Sequence, residues 1–394
     1  MRLILLAALL AGIAAAQDAQ LTAVHATLVE LRSQAPDPET MGASEKLTVA
    51  KHQLRDWIEG QLGTFKDEDI KPFAFRINGA LKTVSAGGSD DDQNLAGSLA
   101  EVRFNEEGGL LIVVTGVGII CQDDESAYAY KKIEKRWRRV WESEQNDYRK
   151  GQYNPQLIDA VHIWQKFDAG HADGPPFVMT LGNLWGCGSF WHSVTYRVWR
   201  IDTASPKLLI DRTEGAYMRT AAFIIGSIGQ EYDEKSVDVL IEFTEGNIDV
   251  GVHNREAIRH FLIDGDRVAR VDPVALSPRD FVDEWLTRPW EESKRWSASP
   301  DLKQWFARLQ SDRGGSRFDE TLHCATPDLW EVTLTHYGEQ KGPAGFPDHF
   351  FLVRWRPPYH FTMVDVSTTP WPRCTEKDPD ADAWRTLFAT QDWR

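Results

Sequence analysis

Cys187, Gly188, Ser189 and Trp191 stand together in the stretch LWGCGSFWHS, and two chemistries could use such a group. A cysteine in glycine-rich, aromatic surroundings is a nucleophile once its thiol ionises, or it is half of a disulfide. A second grouping, HNREAIRH, places His253, Glu256 and His260 at i, i+3 and i+7. On one helical face these would offer three metal ligands with a coordination position left open. Acidic clusters add Asp378, Asp380 and Asp382 in DPDADAW, Asp90 to Asp92 in GGSDDDQN, and Asp123 with Asp124 in QDDES. Glu142 with Glu144, and Glu231 with Asp233, are spaced as carboxylate pairs of the kind that hydrolyse glycosides.

The first stretch resembles the Cys-Gly-Ser-Cys-Trp pattern of papain-like proteases, whose second cysteine is the nucleophile and opens a helix. Phe190 occupies that position here, and the following HSVTYRVWRID reads as a strand. No thiolate can form where the chemistry needs it, so a protease is rejected and Cys187 reads as a disulfide cysteine in a glycine-rich loop. HNREAIRH matches no fixed metalloprotease spacing and leads into the strand-like FLIDG, which favours two polar histidines on a loop before a hairpin. In DPDADAW, Ala383 stands where an EF-hand needs glycine and Ala389 where it needs a bidentate glutamate. The remaining acidic clusters read as solvated turns. No metal and no cofactor is expected, and no nucleophile elbow, P-loop or dinucleotide fingerprint occurs.

Arg2, the apolar run Leu3 to Leu10 and the small residues Ala14 to Ala16 have the layout of a secretory signal peptide, with a mature chain from Gln17. Periplasmic or extracellular placement follows, and no later run is apolar enough for a transmembrane segment. Four cysteines, Cys121, Cys187, Cys324 and Cys374, then read as two disulfides. Three pairings are open, and short loop closure favours Cys121 with Cys187 and Cys324 with Cys374. The net charge of −15 repels phosphate backbones, so nucleic acid is not an expected partner. The one basic cluster, Lys131 to Arg139, is interrupted by apolar residues as in a hairpin with a solvated face.

Among 16 tryptophans, Trp57, Trp285 and Trp305 fall on helical stripes, and Trp137 and Trp199 fall in strands, where they read as core. Trp185 and Trp191 differ. They flank the glycine-rich loop together with His192 and Asn183, and a flat apolar ring beside fixed dipoles suits a sugar or a peptide side chain.

The elements that must position these residues are mainly strands. Leu21, Val24, Leu28 and Leu31 form one helical stripe, and Leu47, Ala50, Leu54, Trp57 and Leu62 a second after Ser44 as N-cap. FAFRINGALKTVSA alternates Phe73, Phe75 and Ile77 before Asn78-Gly79, which predicts a hairpin. Further hairpins are predicted at YAYKKIEKRWRRVW, VTYRVWRIDTASPKLLID, IRHFLIDGDRVARVD and FFLVRWRPPYHFTMVDV, three of them preceded by two more strand-like runs. Ser277-Pro278-Arg279-Asp280 caps a helical insertion carrying Phe281, Val282, Trp285 and Leu286, with a second helix over Pro300 to Leu309.

The expected fold is therefore mainly β, built from repeated antiparallel hairpins as a propeller-like array or a double β-sandwich, with a helical N-terminal cap and a helical insertion near 278–310. The segments are a signal peptide (1–16), the cap (17–70), a β-rich core (71–276), the helical insertion and linker (277–315) and a C-terminal β-rich portion (316–394). The expected function is a non-enzymatic envelope module that binds or scaffolds, with a carbohydrate or peptide ligand or an envelope protein partner. The alternative is an envelope hydrolase such as a glycosidase. Non-reducing peptide mapping should recover a linked Cys121–Cys187 peptide; a free Cys187 thiol would refute that pairing.

Overall fold

The computed structural model of the chain describes residues 19–34, 45–65, 69–86, 95–120, 122–146, 148, 156–158, 160–165, 176–185, 192–201, 205–216, 218–225, 236–247, 251–272, 274–275, 277–311, 316–336, 347–356 and 360–377. The signal peptide, Cys121, Cys187, Trp191, Asp90 to Asp92, Glu231 with Asp233, and the DPDADAW stretch lie outside them. Strand outweighs helix. Among the described residues four antiparallel sheets are formed, none of them closed into a barrel.

The chain divides into two units, Met1–Tyr217 and Met218–Arg394. In the first, helices α1 (19–34), α2 (Glu45–Leu62) and α3 (Ile70–Lys82) precede a sheet of consecutive strands β1 (Arg103–Glu107), β2 (Leu110–Ile119), β3 (Gln122–Ile133) and β4 (Arg136–Ser143). A second meander follows, β5 (Ala160–Gln165), β6 (Pro176–Trp185), β7 (His192–Ile201) and β8 (Pro206–Ala216).

Val24, Leu28 and Leu31 of α1 and Leu47, Leu54 and Ile58 of α2 pack on Leu111, Val113, Tyr128 and Tyr130 of the first sheet. Its other face carries Leu110, Ile112, Ala129 and Trp141 against Ile163, Val178 and Trp199 of the second sheet. Trp141 meets Trp199 edge-on at 5.0 Å between centroids. β2 is buried on both faces, which is why LLIVVTGVGI is an unbroken apolar run rather than an alternating one.

The predicted hairpin at Asn78-Gly79 is instead helix α3. Phe73, Ile77 and Leu81 recur at i, i+4 and i+8 and are all buried, while Phe75, which a strand would have placed beside them, is 84% exposed. Asp69 caps the helix by accepting from the Lys71 N–H at 3.1 Å. Asn78 is not a turn residue. Its side chain donates to the Val102 carbonyl and accepts from the Val102 N–H, tying α3 to the entry of β1.

The second unit holds β9 (Met218–Ile225), β10 (Ser236–Asn247), β11 (Gly251–Asp264) and β12 (Arg267–Arg270) as one meander. Helices α4 (Pro278–Thr287), α5 (Trp290–Ser293) and α6 (Leu302–Ser311) come next, and then a five-stranded sheet of β13 (Ser316–Cys324), β14 (Leu329–His336), β15 (His349–Arg356), β16 (His360–Ser367) and β17 (Cys374–Lys377), with β17 added beside β13. Ser277 caps α4 as its sequence predicts, accepting from the Asp280 N–H at 3.1 Å. Phe281, Val282, Trp285 and Leu286 then pack with Phe306 of α6 onto Val332, Phe351, Val353 and Met363 of the last sheet.

The four hairpins at YAYKKIEKRWRRVW, VTYRVWRIDTASPKLLID, IRHFLIDGDRVARVD and FFLVRWRPPYHFTMVDV all form. The first turns through Glu134 and Lys135, both at positive φ, and the third through Gly265 at +58°. Cys324 and Cys374 are disulfide-bonded, pinning β17 to β13.

Asp123 and Asp124 are not in a solvated turn. They lie in β3, and Asp124 is fully buried against an equally buried Lys51, Nζ to Oδ1 2.8 Å. Removing one member of such a pair strands a buried charge, whereas replacing both with apolar groups does not. Lys51→Met should therefore lower stability by about 3–5 kcal/mol, and Lys51→Met/Asp124→Leu should recover most of the loss. Denaturant melts of the two variants check this; a double variant no better than the single would contradict it.

Candidate functional site

Of the residues singled out around the glycine-rich loop, Asn183 and Trp185 end β6 and His192 opens β7. The register pairs Trp185 directly with His192, and Asn183 with Val194. Strand alternation puts Asn183 and Trp185 at positions of the same face. Residues 186–191, including Trp191 and Cys187, lie between the two strands and outside the described residues.

His253, Glu256 and His260 do not share a helical face, and they are not on a loop. All three are on β11, where residues three apart take opposite faces, so the metal geometry a helix would give is lost. His260 is fully buried. Among the described residues no group of three or more histidine, cysteine, aspartate or glutamate side chains could hold a metal ion.

Among the described residues of the first unit, a dense polar assembly forms where α2 lies over β3 and β4. Lys51, His52 and Arg55 come from one stretch of α2, Asp124, Tyr128 and Tyr130 from β3, Glu142 from the end of β4 and Glu144 from just beyond it. The Lys51 ammonium donates to Asp124 Oδ1 at 2.8 Å, to the Gln145 carbonyl at 2.5 Å and to Tyr148 Oη at 2.7 Å. Those three acceptors saturate it. Tyr148 donates in turn to Asp124 Oδ2 at 2.9 Å. Burial raises the Asp124 pKa, and Lys51 and Tyr148 oppose the rise only in part.

Beside it, Glu144 takes His52 Nε2 at 2.7 Å and the Tyr128 hydroxyl at 2.6 Å, with Arg55 Nη1 3.5 Å away. Burial alone would raise the Glu144 pKa, but hydrogen bonds from Tyr128 and Asn146 and the nearby Lys51 and His52 outweigh it and hold the carboxyl below its usual range. Glu142 is half-exposed and 3.7 Å from the same Arg55. A glycosidase acid must keep its proton near neutrality, so its pKa must be raised. Glu144 is tuned the other way.

Gln156 extends the network toward the second sheet. Its amide donates to the Ser143 carbonyl at 2.9 Å and its oxygen accepts from Arg197 of β7 at 2.8 Å.

The second unit has its own buried cluster. Glu284 of α4 receives Arg259 of β11 at 2.5 Å, Arg270 of β12 at 3.0 Å and Arg288 at 3.1 Å. Burial pushes the Arg270 pKa down to about 10 despite Glu284.

Sequence reasoning offers Asp124 only as a turn residue and Glu142 with Glu144 only as a carboxylate pair, and it misses Lys51, Glu284 and the arginines. One signal for the first cluster is nonetheless present. Lys51 sits four residues after Leu47 and three before Leu54, inside the apolar stripe of α2. A lysine at such a position must find a buried partner.

The basic cluster Lys131 to Arg139 forms the exposed end of the β3–β4 hairpin, as expected, with Lys132 over the Trp137 ring and Arg139 3.2 Å from Glu59. No described helix is long and apolar enough to cross a membrane.

No family model and no curated protein matches the chain. Among solved structures, one described as a BT0996 RGII complex is 9% identical and is covered over 72% of its length by 67% of this chain, at a TM-score of 0.22. Another, described as a glycoside hydrolase, is also 9% identical, over 72% of this chain and 90% of that one, at a TM-score of 0.20. Likenesses of this size carry no argument about fold or activity.

The lowered pKa of Glu144 means its charge stabilises the fold fully above the ordinary glutamate value and less as pH falls through the lowered one. Glu144→Gln should cost about 1–3 kcal/mol at neutral pH by leaving buried partners unsatisfied. The gap from wild type should hold down to about pH 4.3 and close at lower pH. Urea melts across that range check it; a gap that widens on acidification would show the opposite sign.

Proposed function

We propose that the chain is an exported, mainly β module that binds a carbohydrate or peptide ligand, or scaffolds an envelope partner, through the end of the β6–β7 hairpin. The observation that carries this reading is the register that sets Trp185 opposite His192, with Asn183 two residues earlier. Tryptophan, histidine and asparagine at paired and alternate positions of one hairpin end are residue types that combine stacking surface with directional hydrogen bonds. Trp191, in the same connection, belongs to the proposal.

Export is supported by the leader-like residues 1–16 and by the Cys324–Cys374 disulfide, a bond that persists in oxidising compartments. Three meanders of consecutive strands, and a fourth with β17 added beside β13, support a propeller-like array; the face-to-face packing of the first two sheets is what a double sandwich would also use. The segment division at 70, 276 and 315 is part of the same proposal.

The test is a thermal-shift screen of residues 17–394 against glycans and cell-wall peptides. A ligand that binds the native state raises the melting temperature by mass action. One sugar or peptide class should raise it, and Trp185→Ala should abolish the shift while leaving the unliganded melting temperature within a few degrees. A shift that survives in both Trp185→Ala and Trp191→Ala would place the ligand elsewhere.

A further inference from the structure

The end of the β3–β4 hairpin departs in three ways from what its fold needs. Lys131 and Arg138 are direct cross-strand partners, and so are Ile133 and Arg136, which puts all four on one face. Like charges placed directly opposite destabilise a sheet, and a carboxylate at either Lys131 or Arg138 would remove that cost. The turn holds Glu134 at φ 49° and Lys135 at φ 65°, where Asn-Gly would be unstrained. Ile133, beside these cations, is 40% exposed. None of these choices serves packing, because residues 131–136 are exposed throughout.

Helix α3 brings further groups of the same kind to this end. Trp137, the partner of Lys132, stacks on Phe65 at 6.4 Å, and Phe65 meets Phe73 of α3 at 4.5 Å. Lys132 lies over the Trp137 ring at 5.8 Å and Arg76 over the Phe73 ring at 5.4 Å, so one aromatic cluster carries a cation at each end. The exposed positions of α3 include Lys71, Phe75, Arg76 and Lys82, with no acidic residue between Ile70 and Lys82.

Charge and shape select the partner. From Lys131 to Arg139 the chain has six cations and one carboxylate, Glu134, and of the cations Arg139 is taken by Glu59 and Glu142. Glu107 enters the row of Lys131 only beyond Leu110, two strands away. Charges are screened over about 8 Å at physiological ionic strength, so this cluster sets the local potential whatever the net charge of the chain. Its partner is anionic. The hairpin end is exposed on both faces, a shape that meets a plane rather than encloses a polymer. Exposed Ile133 and Phe75 among cations are the combination that holds an interface of anionic headgroups over acyl chains.

We propose that the β3–β4 hairpin end, together with the outer face of α3, docks peripherally on an anionic phospholipid bilayer. This surface is separate from the β6–β7 hairpin and does not rest on the ligand proposed there.

Co-sedimentation of residues 17–394 with vesicles tests it. The protein should partition onto phosphatidylglycerol–phosphatidylcholine vesicles at least about tenfold more strongly than onto phosphatidylcholine alone, and less as salt rises. Lys131→Gln/Arg138→Gln should reduce partitioning at least about fivefold, and Phe75→Ser/Ile133→Ser by about as much. Arg295→Gln/Lys303→Gln, an equal loss of charge at exposed positions of the second unit, should leave it unchanged. The four substituted positions of the surface are exposed, so all variants should melt within a few degrees of wild type.

Equal partitioning onto phosphatidylcholine alone, or none onto either vesicle, overturns the proposal. So does an equal loss in Arg295→Gln/Lys303→Gln. Wild-type binding by Phe75→Ser/Ile133→Ser, with full displacement by soluble polygalacturonate, would also overturn it and assign the cations to a polyanion.

Discussion

Taking a lysine and an aspartate out of water costs several kcal/mol per ion, and the attraction between them repays it only when every remaining donor and acceptor is met. Lys51 and Asp124 satisfy that condition by drawing in Gln145 and Tyr148, and the arrangement of the first unit follows. Lys51 can reach Asp124 only if α2 lies over β3 at one axial position, and Tyr148 can close the group only if the chain beyond β4 returns over the helix. Apolar contacts between α2 and the sheet would tolerate sliding by a turn. The ion pair would not, since a shift of one turn leaves two charges buried and alone.

A similar arrangement recurs in the second unit with a carboxylate at its centre. Glu284 on α4 is met by arginines from β11 and β12 and by Arg288 one turn along its own helix. Here too a helix is located on strands by a charge that cannot be left unpaired, and apolar packing on the neighbouring sheet fills the space around it. These groups are committed to the fold, so their buried charge is poorly suited to chemistry on a substrate.

The tryptophans divide along the same line. Trp57, Trp199 and Trp285 are buried and close the cores, as their stripe or strand positions imply, whereas Trp137 and Trp305, expected beside them, are only partly buried against those cores. Trp330 and Trp355 are only partly buried, Trp355 against the core that α4 and α6 form with the last sheet. Neither stands out in the primary structure, because a tryptophan in a strand reads the same whether or not a helix extends over it.

The hairpins and the capped helix α4 were legible in the sequence because both are local. Alternation with a turn dipeptide specifies a hairpin within a dozen residues, and Ser277 with Pro278 specifies a helix start within four. The residues of α3 were misread for the same reason, since Asn78-Gly79 is a turn signal only when no helix competes, and the burial of Phe73, Ile77 and Leu81 against α1, α2 and the sheet decides for the helix. The Cys324–Cys374 pair followed from loop length. Tertiary structure alone decided which charges are buried together. Asp124 meets Lys51 across 73 residues and Arg259 meets Glu284 across 25. Spacing along the chain holds no record of such meetings, because the energy that enforces them exists only once the intervening elements have excluded water.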